Sequence, residues 1–289
     1  MTIRIGIVGL GEAGSAIAAG LQETGKAQVA GFDARLDVPA VRDRAAGTGI
    51  YLASSLADLA ERSEVVLCLT HASTALAVAQ AIAPHLQAGQ VYSDWNSGGP
   101  QLKKDVAAVV TPSGAAFADG AVMAAVPGLR HQVPVLLSGG GAEQLVTATT
   151  GLGMELEVVG DEPGQASAVK MLRSLLVKGL EALILECLIA ARRFGAEEKV
   201  LNSMGGSLPL HDWSQLASYL TTRTYLHGRR RAEEMGQVVA TLREVDVDPI
   251  VATACERRLL WLADLQLGGA DVPAPQGYAD VITRVEEAS

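Results

Sequence analysis

The stretch Gly9-Leu10-Gly11-Glu12-Ala13-Gly14 follows directly on the apolar run from Ile3 to Val8. In this G-x-G-x-x-G pattern the first glycine permits a tight turn, the second lets backbone approach a pyrophosphate, and the third lets a helix pack on a strand. The segment from Ser15 to Leu21 has helical character, so its N-terminal amides would face a phosphate. We predict a dinucleotide-binding turn rather than an ordinary βα turn, with cofactor contacts at Gly9, Leu10, Gly11, Glu12, Ala13 and Gly14.

An acidic residue, Asp33, follows the second apolar run, Ala27 to Phe32. It lies about 20 residues beyond the turn, where a carboxylate accepts hydrogen bonds from the adenosine ribose hydroxyls. Because a carboxylate repels a 2'-phosphate, the sequence favours NAD over NADP. Arg35 would contact that phosphate if Asp33 turned away. Thr70, which ends a third apolar run, is a further predicted cofactor contact.

Composition excludes several classes of protein. The chain has 289 residues, a net charge of -9 and only three cysteines, Cys68, Cys187 and Cys255. The acidic balance argues against a nucleic-acid surface. Widely spaced cysteines in apolar runs indicate buried, reduced thiols and no metal site. We find no basic leader with a cleavage site and no apolar tract long enough for a bilayer, so we expect a soluble, cytoplasmic protein.

The order of predicted elements indicates two domains. Seven short apolar runs alternate with helical stretches before Gly160, which is typical of a Rossmann-like, doubly wound and mostly parallel sheet. These runs are 3–8, 27–32, 65–70, 90–94, 115–118, 134–137 and 156–159. Beyond them we predict only helices, near 165–194, 213–242 and 249–267. Turn chemistry at 161–164 places the boundary between an α/β domain, 1–162, and an all-helical domain, 163–289.

The helix predicted from Gln165 to Phe194 is apolar on nearly all sides, which indicates burial between a domain and another partner, for which a second subunit is one candidate. Lys170, Ser174 and Glu181 fall within about 40° of one another on it, with Lys178 at the edge. A buried lysine that loses its proton near neutral pH suits general acid/base catalysis. The alternative is a structural ion pair, such as Lys178 with Glu181, with Lys170 only reaching solvent.

Four ordered segments resemble the β-hydroxyacid dehydrogenases, and in particular 6-phosphogluconate dehydrogenase-like proteins with a short helical C-terminal domain of uncharacterised function. The resemblance covers essentially the whole chain. Asp94-Trp95-Asn96-Ser97-Gly98-Gly99-Pro100 looks like the family's D-x-N/S-S/T-x-x-P segment beside nicotinamide and substrate. The other segments are the glycine turn, the stretch 117–123 that is similar to the D-A-P-V strand, and 164–172, which resembles the catalytic-lysine helix.

This resemblance implies that Lys170 exchanges a proton with a substrate hydroxyl while a hydride passes between the same carbon and nicotinamide. It also implies that Asn96 and Ser97 orient the reacting groups, with Asn96 contacting the cofactor too. Met123 and Ser174 occupy substrate positions where the family has the serine of Ser-Gly-Gly and an asparagine. These departures disfavour the usual small 3-hydroxy acids.

A second departure concerns decarboxylation. Val177 stands where decarboxylating members of the family have glutamate. The chain is therefore not expected to be a true 6-phosphogluconate dehydrogenase. Glu181, one turn further along the same helix, would replace that acid only for a longer substrate.

A basic cluster lies in the predicted helical domain. Arg223, His227 and Arg230 share a helix face, and Arg231 lies near it. One interpretation is a solvated face with i,i+4 pairs from Arg229 to Glu233 and from Arg230 to Glu234. The other is a clamp in which Arg230 binds the anionic group of an acidic small-molecule substrate.

Competing functions remain open from the sequence. An imine reductase-like enzyme has the same architecture, and a non-catalytic NAD(P)-binding sensor needs only the glycine turn. The Asp94 to Pro100 segment together with Lys170 favours the dehydrogenase, because a sensor needs the glycine turn but no second group of functional residues beside the nicotinamide. The apolar faces of the helical domain favour a homodimer. We expect no nucleic-acid or membrane partner.

Overall fold

A computed structural model describes residues 2–207, 212–267 and 273–288. The chain forms two compact units, Met1–Lys170 and Met171–Ser289. The turn-forming residues predict a domain boundary at 162/163. The packing in the structure places the boundary at 170/171, within the first two turns of the long helix that begins at Gln165. The reason is that the start of this helix is hydrogen-bonded to the sheet, through Asp119 and Ser138.

The first unit contains one eight-stranded sheet. In chain order β1 to β8 are Ile3–Val8, Ala27–Phe32, Tyr51–Leu52, Val65–Cys68, Val91–Asp94, Ala116–Val122, Val135–Ser138 and Leu156–Gly160. They lie in the order β3-β2-β1-β4-β5-β6-β7-β8. All neighbours are parallel except β6 and β7. The predicted Rossmann-like, mostly parallel sheet is confirmed.

Seven of these strands coincide with the predicted apolar runs, and the edge strand β3 was missed. Tyr51 and Leu52 are both largely exposed. A two-residue edge strand with no buried side chain has no apolar periodicity to recognise. The antiparallel pairing of β6 with β7 also had no local signal, because strand direction depends on the path of the connection.

Seven helices cover the sheet of the first unit. In chain order α1 to α7 are Glu12–Glu23, Pro39–Ala46, Leu56–Glu61, Ala72–Ile82, Pro100–Val110, Val126–Leu129 and Ala142–Ala148. The side chains of β4 illustrate how the helices and the sheet form an apolar core on each face of the sheet. Val65 and Leu67 enter one apolar cluster, while Val66 and Cys68 enter another. Successive side chains alternate across the sheet, so an unbroken apolar strand is buried on both faces.

The second unit is helical. In chain order α8 to α12 are Gln165–Arg193, Glu197–Ser207, Trp213–Glu244, Ile250–Asp264 and Tyr278–Ala288, and α8 begins in the first unit. The described residues after Gly160 form no strand, as predicted. The sequence missed α9 and α12. Within α10, His227 departs from helical geometry, with φ of -132° and ψ of 23°.

One face of α8 contributes to the core of the second unit, where Ala182, Leu185 and Leu188 are buried. The opposite face is exposed and carries Leu172, Leu176, Leu180, Leu183 and Cys187, and exposed Phe194 directly follows the helix. We call these six residues the α8 stripe. The prediction of three buried thiols is therefore wrong for Cys187, although Cys68 and Cys255 are buried. Apolar neighbours in the sequence did not distinguish the core face from the outer face.

In the described ranges, no helix has both the length and the apolar composition of a membrane span.

Candidate functional site

The glycine turn joins β1 to α1 at the carboxyl edge of the sheet. Gly9 has φ of 94°, and a Cβ there would lie 2.5 Å from the Leu69 carbonyl oxygen. A Cβ on Gly14 would overlap the carbonyl oxygen of Gly9. By contrast, no described atom lies within 4 Å of the position that a Cβ on Gly11 would occupy. Gly9 and Gly14 are thus required by packing, and Gly11 leaves open the surface that a pyrophosphate approaches.

Asp33 lies beside this turn, immediately after β2. Its Oδ2 accepts a 2.8 Å hydrogen bond from the Leu10 amide, and its Oδ1 accepts one of 2.8 Å from the Arg35 amide. These bonds fix the carboxylate between the glycine turn and the end of β2. Arg35 is exposed. The residues present therefore fit the adenosine half of a dinucleotide.

Thr70 and Asn96 follow the neighbouring strands β4 and β5. The Thr70 hydroxyl donates to Asn96 Oδ1 at 3.4 Å. The Asn96 backbone amide donates to Asp94 Oδ1 at 3.0 Å, and its side-chain amide donates to the same oxygen. Because β1, β4 and β5 are adjacent and parallel, the glycine turn, Thr70 and Asn96 lie at one edge of the sheet. Ligands of open α/β sheets bind at this edge.

Lys170 contacts the same segment from α8. Its Nζ donates to Ser97 Oγ at 2.7 Å, and both residues are partly buried within the first unit. A lysine beside a hydroxyl can exchange protons with a ligand bound there, because its ammonium form donates a proton and its neutral amine form accepts one. The structure thus brings Lys170 into contact with Ser97, the residue after Asn96.

A buried ionic cluster underlies this site, and the sequence did not predict it. Lys103 Nζ lies 3.2 Å from Asp94 Oδ2 and 3.3 Å from Asp119 Oδ1, and all three side chains have no solvent exposure. Burial alone would lower the pKa of Lys103, but the two carboxylates outweigh it and raise this pKa above the usual lysine range. Asp94 and Asp119 are direct partners in the register of β5 and β6. Asp94 at the end of β5 and Asp119 in the middle of β6, two aspartates within apolar strands, were the available signal that a buried cation is needed.

The other predicted substrate residues are dispersed. Met123 follows β6 and is partly buried, and its backbone amide donates to Pro134 at 2.9 Å. Ser174, also partly buried, belongs to the second unit. Arg230 belongs to the second unit too, where it is exposed and pairs with Glu234 at 3.2 Å. Its role as an anion clamp stays a prediction.

Two expected ion pairs have different partners in the structure. Arg229 pairs with Asp264 at 2.6 Å rather than with Glu233. Lys178 pairs with Glu234 at 2.9 Å rather than with Glu181. In both cases a packed neighbouring element supplies the acid, and helix spacing alone cannot reveal such a partner.

Glu181 is bound by Arg231 instead. Arg231 Nε donates to Glu181 Oε2 at 2.7 Å, with a second contact between the same two groups. Glu181 has no solvent exposure. Burial and pairing with Arg231 argue against the hypothesis that Glu181 replaces the acid of decarboxylating enzymes.

The fold and the turn define a class: a Rossmann-type NAD(P)-binding domain with the fold of NAD(P)-dependent dehydrogenases, followed by a helical domain. Residues 4–153 match the NAD binding domain of 6-phosphogluconate dehydrogenase. The chain belongs to this family. Residues 191–262 match a domain of unknown function, DUF1932.

Solved structures agree with this assignment. A conserved hypothetical protein from Sinorhizobium meliloti 1021 is 35% identical, with a TM-score of 0.83, covering 100% of this chain and 97% of its own. The conserved protein MTH1747, described as structurally similar to 3-hydroxyacid dehydrogenases, is 31% identical, with a TM-score of 0.77 and coverage of 92% and 98%. The 3-hydroxyisobutyrate dehydrogenase of Mycobacterium tuberculosis, 16% identical over 99% of both chains with a TM-score of 0.74, shares the fold.

Proposed function

We propose that this protein is an NAD(P)-dependent oxidoreductase of the β-hydroxyacid dehydrogenase type. The observation that carries the proposal is the 2.7 Å contact between Lys170 Nζ and Ser97 Oγ in the same unit as the glycine turn. A protein that only binds a dinucleotide needs the turn but no proton-exchanging lysine beside the segment after β5. The similarity of MTH1747 to 3-hydroxyacid dehydrogenases supports the same class.

In this proposal Lys170 Nζ accepts the proton of a substrate hydroxyl and returns it in the reverse direction. A bound nicotinamide dinucleotide supplies the hydride acceptor or donor. Ser97 orients the reacting oxygen and Lys170. Asn96 is buried and its side-chain amide donates to Asp94 and Cys68, so it fixes the segment that carries Ser97. These contacts hold the reacting groups in place and so reduce the entropic cost of reaction.

The substrate we propose is a hydroxy acid, or a related carbonyl compound, with a larger or more apolar body than the usual small 3-hydroxy acids. Met123-Ala124-Ala125 follows β6 where the family resemblance leads one to expect Ser-Gly-Gly. The backbone amide of Met123 is already bonded to Pro134. The side chain of Met123 is therefore the group left to contact a substrate, and it is apolar where the family has the hydroxyl of a serine. Val177 instead of glutamate argues against decarboxylation of 6-phosphogluconate.

The test is turnover of the wild-type protein with NAD(H) and NADP(H) on 2- and 3-hydroxy acids, larger branched or aromatic hydroxy acids, and cyclic imines. Turnover of a hydroxy acid supports the proposal. Turnover of imines alone would replace it with an imine reductase-like function. Tight cofactor binding without any turnover would favour the sensor.

We expect tighter binding of NADH than of NADPH, because the Asp33 carboxylate, fixed by two backbone amides, repels a 2'-phosphate. Replacing Asp33 by serine removes this charge and should narrow the preference by roughly tenfold, which corresponds to about 1.4 kcal/mol. Titration of both reduced cofactors by fluorescence measures the ratio. Asp37→Ser, an exposed acid nearby in sequence, is the matched control. Tighter binding of NADPH by the wild type would contradict this prediction.

We also propose that the protein is a homodimer that covers the α8 stripe. Leu176 is 71% exposed, Leu183 63% and Phe194 84%. Contiguous apolar surface of this kind marks an interaction site. We expect sedimentation velocity to show a dimer for the wild type and a monomer for Leu176→Glu/Leu183→Glu.

Circular dichroism of the double variant checks that its helices persist. Leu129→Glu, an exposed leucine of the first unit, is the control and should remain dimeric. A monomeric wild type would refute the homodimer.

A further inference from the structure

Lys103 is a fully buried cation with three oxygen partners. Besides the carboxylates of Asp94 and Asp119, its Nζ donates to the backbone carbonyl of Asp94 at 2.6 Å. It lies in α5, and nothing in the proposed proton transfer uses it. A buried charge of this kind persists only where it is paired and hydrogen-bonded.

One partner, Asp119, holds the beginning of α8. Its Oδ2 accepts hydrogen bonds from the backbone amides of Gly164 at 3.2 Å and Ser167 at 3.0 Å. Its Oδ1 accepts a 2.7 Å hydrogen bond from the Ser167 hydroxyl. A carboxylate bonded to the first amides of a helix satisfies donors that have no partner within the helix. Lys170 lies one turn beyond Ser167, so Asp119 sets the position of the lysine.

The other partner, Asp94, holds the segment that Lys170 contacts. Its Oδ1 accepts both amide hydrogen bonds of Asn96, and Ser97 is the next residue. The Ser97 hydroxyl receives the Lys170 ammonium. Asp119 therefore holds the helix that carries Lys170, and Asp94 holds the segment that carries Ser97. Lys103 contacts both carboxylates.

We propose that Lys103 is a positioning residue that holds Lys170 Nζ against Ser97 Oγ by joining Asp94 to Asp119. Without this cation the two carboxylates, which face each other on adjacent strands, would repel each other. Displacement of Asp119 would weaken the hydrogen bonds that it accepts from the helix amides. The proposal rests on the proposed function only for its effect on catalysis, since the geometry of Lys170 is measurable by itself.

The test compares Lys103→Met with Lys104→Met, an exposed lysine of the same helix. The chain has only six lysines, so reductive methylation with ¹³C-formaldehyde gives few NMR signals, and Lys170→Arg identifies that of Lys170. We expect Lys103→Met to move the Lys170 signal and its titration midpoint, and Lys104→Met to leave both unchanged. An unchanged Lys170 signal in folded Lys103→Met would overturn the proposal.

Kinetics supply a second readout once a substrate is known. A displacement of about 1 Å can cost roughly 10²-fold in rate. We expect Lys103→Met to lower kcat at least about tenfold and to leave the Kd of NADH within about threefold, because the glycine turn is not part of the cluster. A fall in cofactor affinity equal to the fall in kcat would indicate general loss of structure and overturn the positioning role.

Ser167→Ala provides a milder variant if Lys103→Met does not fold. It removes the 2.7 Å hydrogen bond to Asp119 but keeps Lys103 and both carboxylates. We expect a smaller movement of the Lys170 signal in the same direction, and no movement would count against the proposal. If no substrate is turned over, the proposed function fails, while the NMR comparison still decides whether Lys103 positions Lys170.

Discussion

Replacing Lys170 by methionine is expected to lower turnover by roughly 10²- to 10⁴-fold, the range that general acid/base groups contribute. The affinity for NADH should stay nearly unchanged. The reason is that Lys170 contacts Ser97 in the segment after β5, whereas we expect the glycine turn and Asp33 to bind the other half of the dinucleotide. Steady-state kinetics on the best hydroxy acid and fluorescence titration of NADH measure the two quantities separately.

Two further variants separate proton transfer from charge. Lys170→Arg keeps a cation but cannot lose its proton near neutral pH, so it should be nearly as slow as Lys170→Met. Lys199→Met removes an exposed lysine of α9 and should retain full activity. Full activity of Lys170→Met on the physiological type of substrate would rule out its role as the proton carrier.

Replacing Arg231 by methionine is expected to lower the free energy of unfolding of the helical unit by about 3–5 kcal/mol. Arg231 is 2% exposed and Glu181 is fully buried, and the two residues form an ion pair between α10 and α8. The variant leaves the Glu181 carboxylate enclosed without its cation. Urea denaturation followed by tryptophan fluorescence measures the change, since Trp213 and Trp261 both lie in this unit.

The double variant Arg231→Met/Glu181→Met should recover most of this loss, because replacing both members of a buried pair by apolar side chains is often neutral. Arg229→Met is the matched control. Arg229 is 60% exposed in its pair with Asp264, so its loss should cost about 0–1 kcal/mol. Equal destabilisation by Arg231→Met and Arg229→Met would show that burial of the first pair is not important.

The candidate site was predictable in part. Gly9, Gly11 and Gly14 are neighbours in sequence, and their three separate roles follow from local geometry. The family resemblance supplied Lys170 and Ser97, which are 73 residues apart and meet in the structure. Lys103 was missed because nothing near it in sequence indicates that it is buried. Its two carboxylate partners come from two other elements, the end of β5 and the middle of β6.

The sequence by itself determined seven of the eight strands of the first unit and the position of the dinucleotide turn, because apolar periodicity and glycine geometry act over a few residues. It also predicted the i,i+4 pair of Arg230 with Glu234, but it did not determine the ion pairs between different elements. Residues on other elements form the ion pairs of Lys178, Glu181 and Arg229. The partners of Asp119 include Lys103 on α5 and Ser167 on α8. Buried charges are neutralised by whichever opposite group the packing brings within about 3 Å. The tertiary structure decides which groups come this close, because the paired residues are far apart in the sequence.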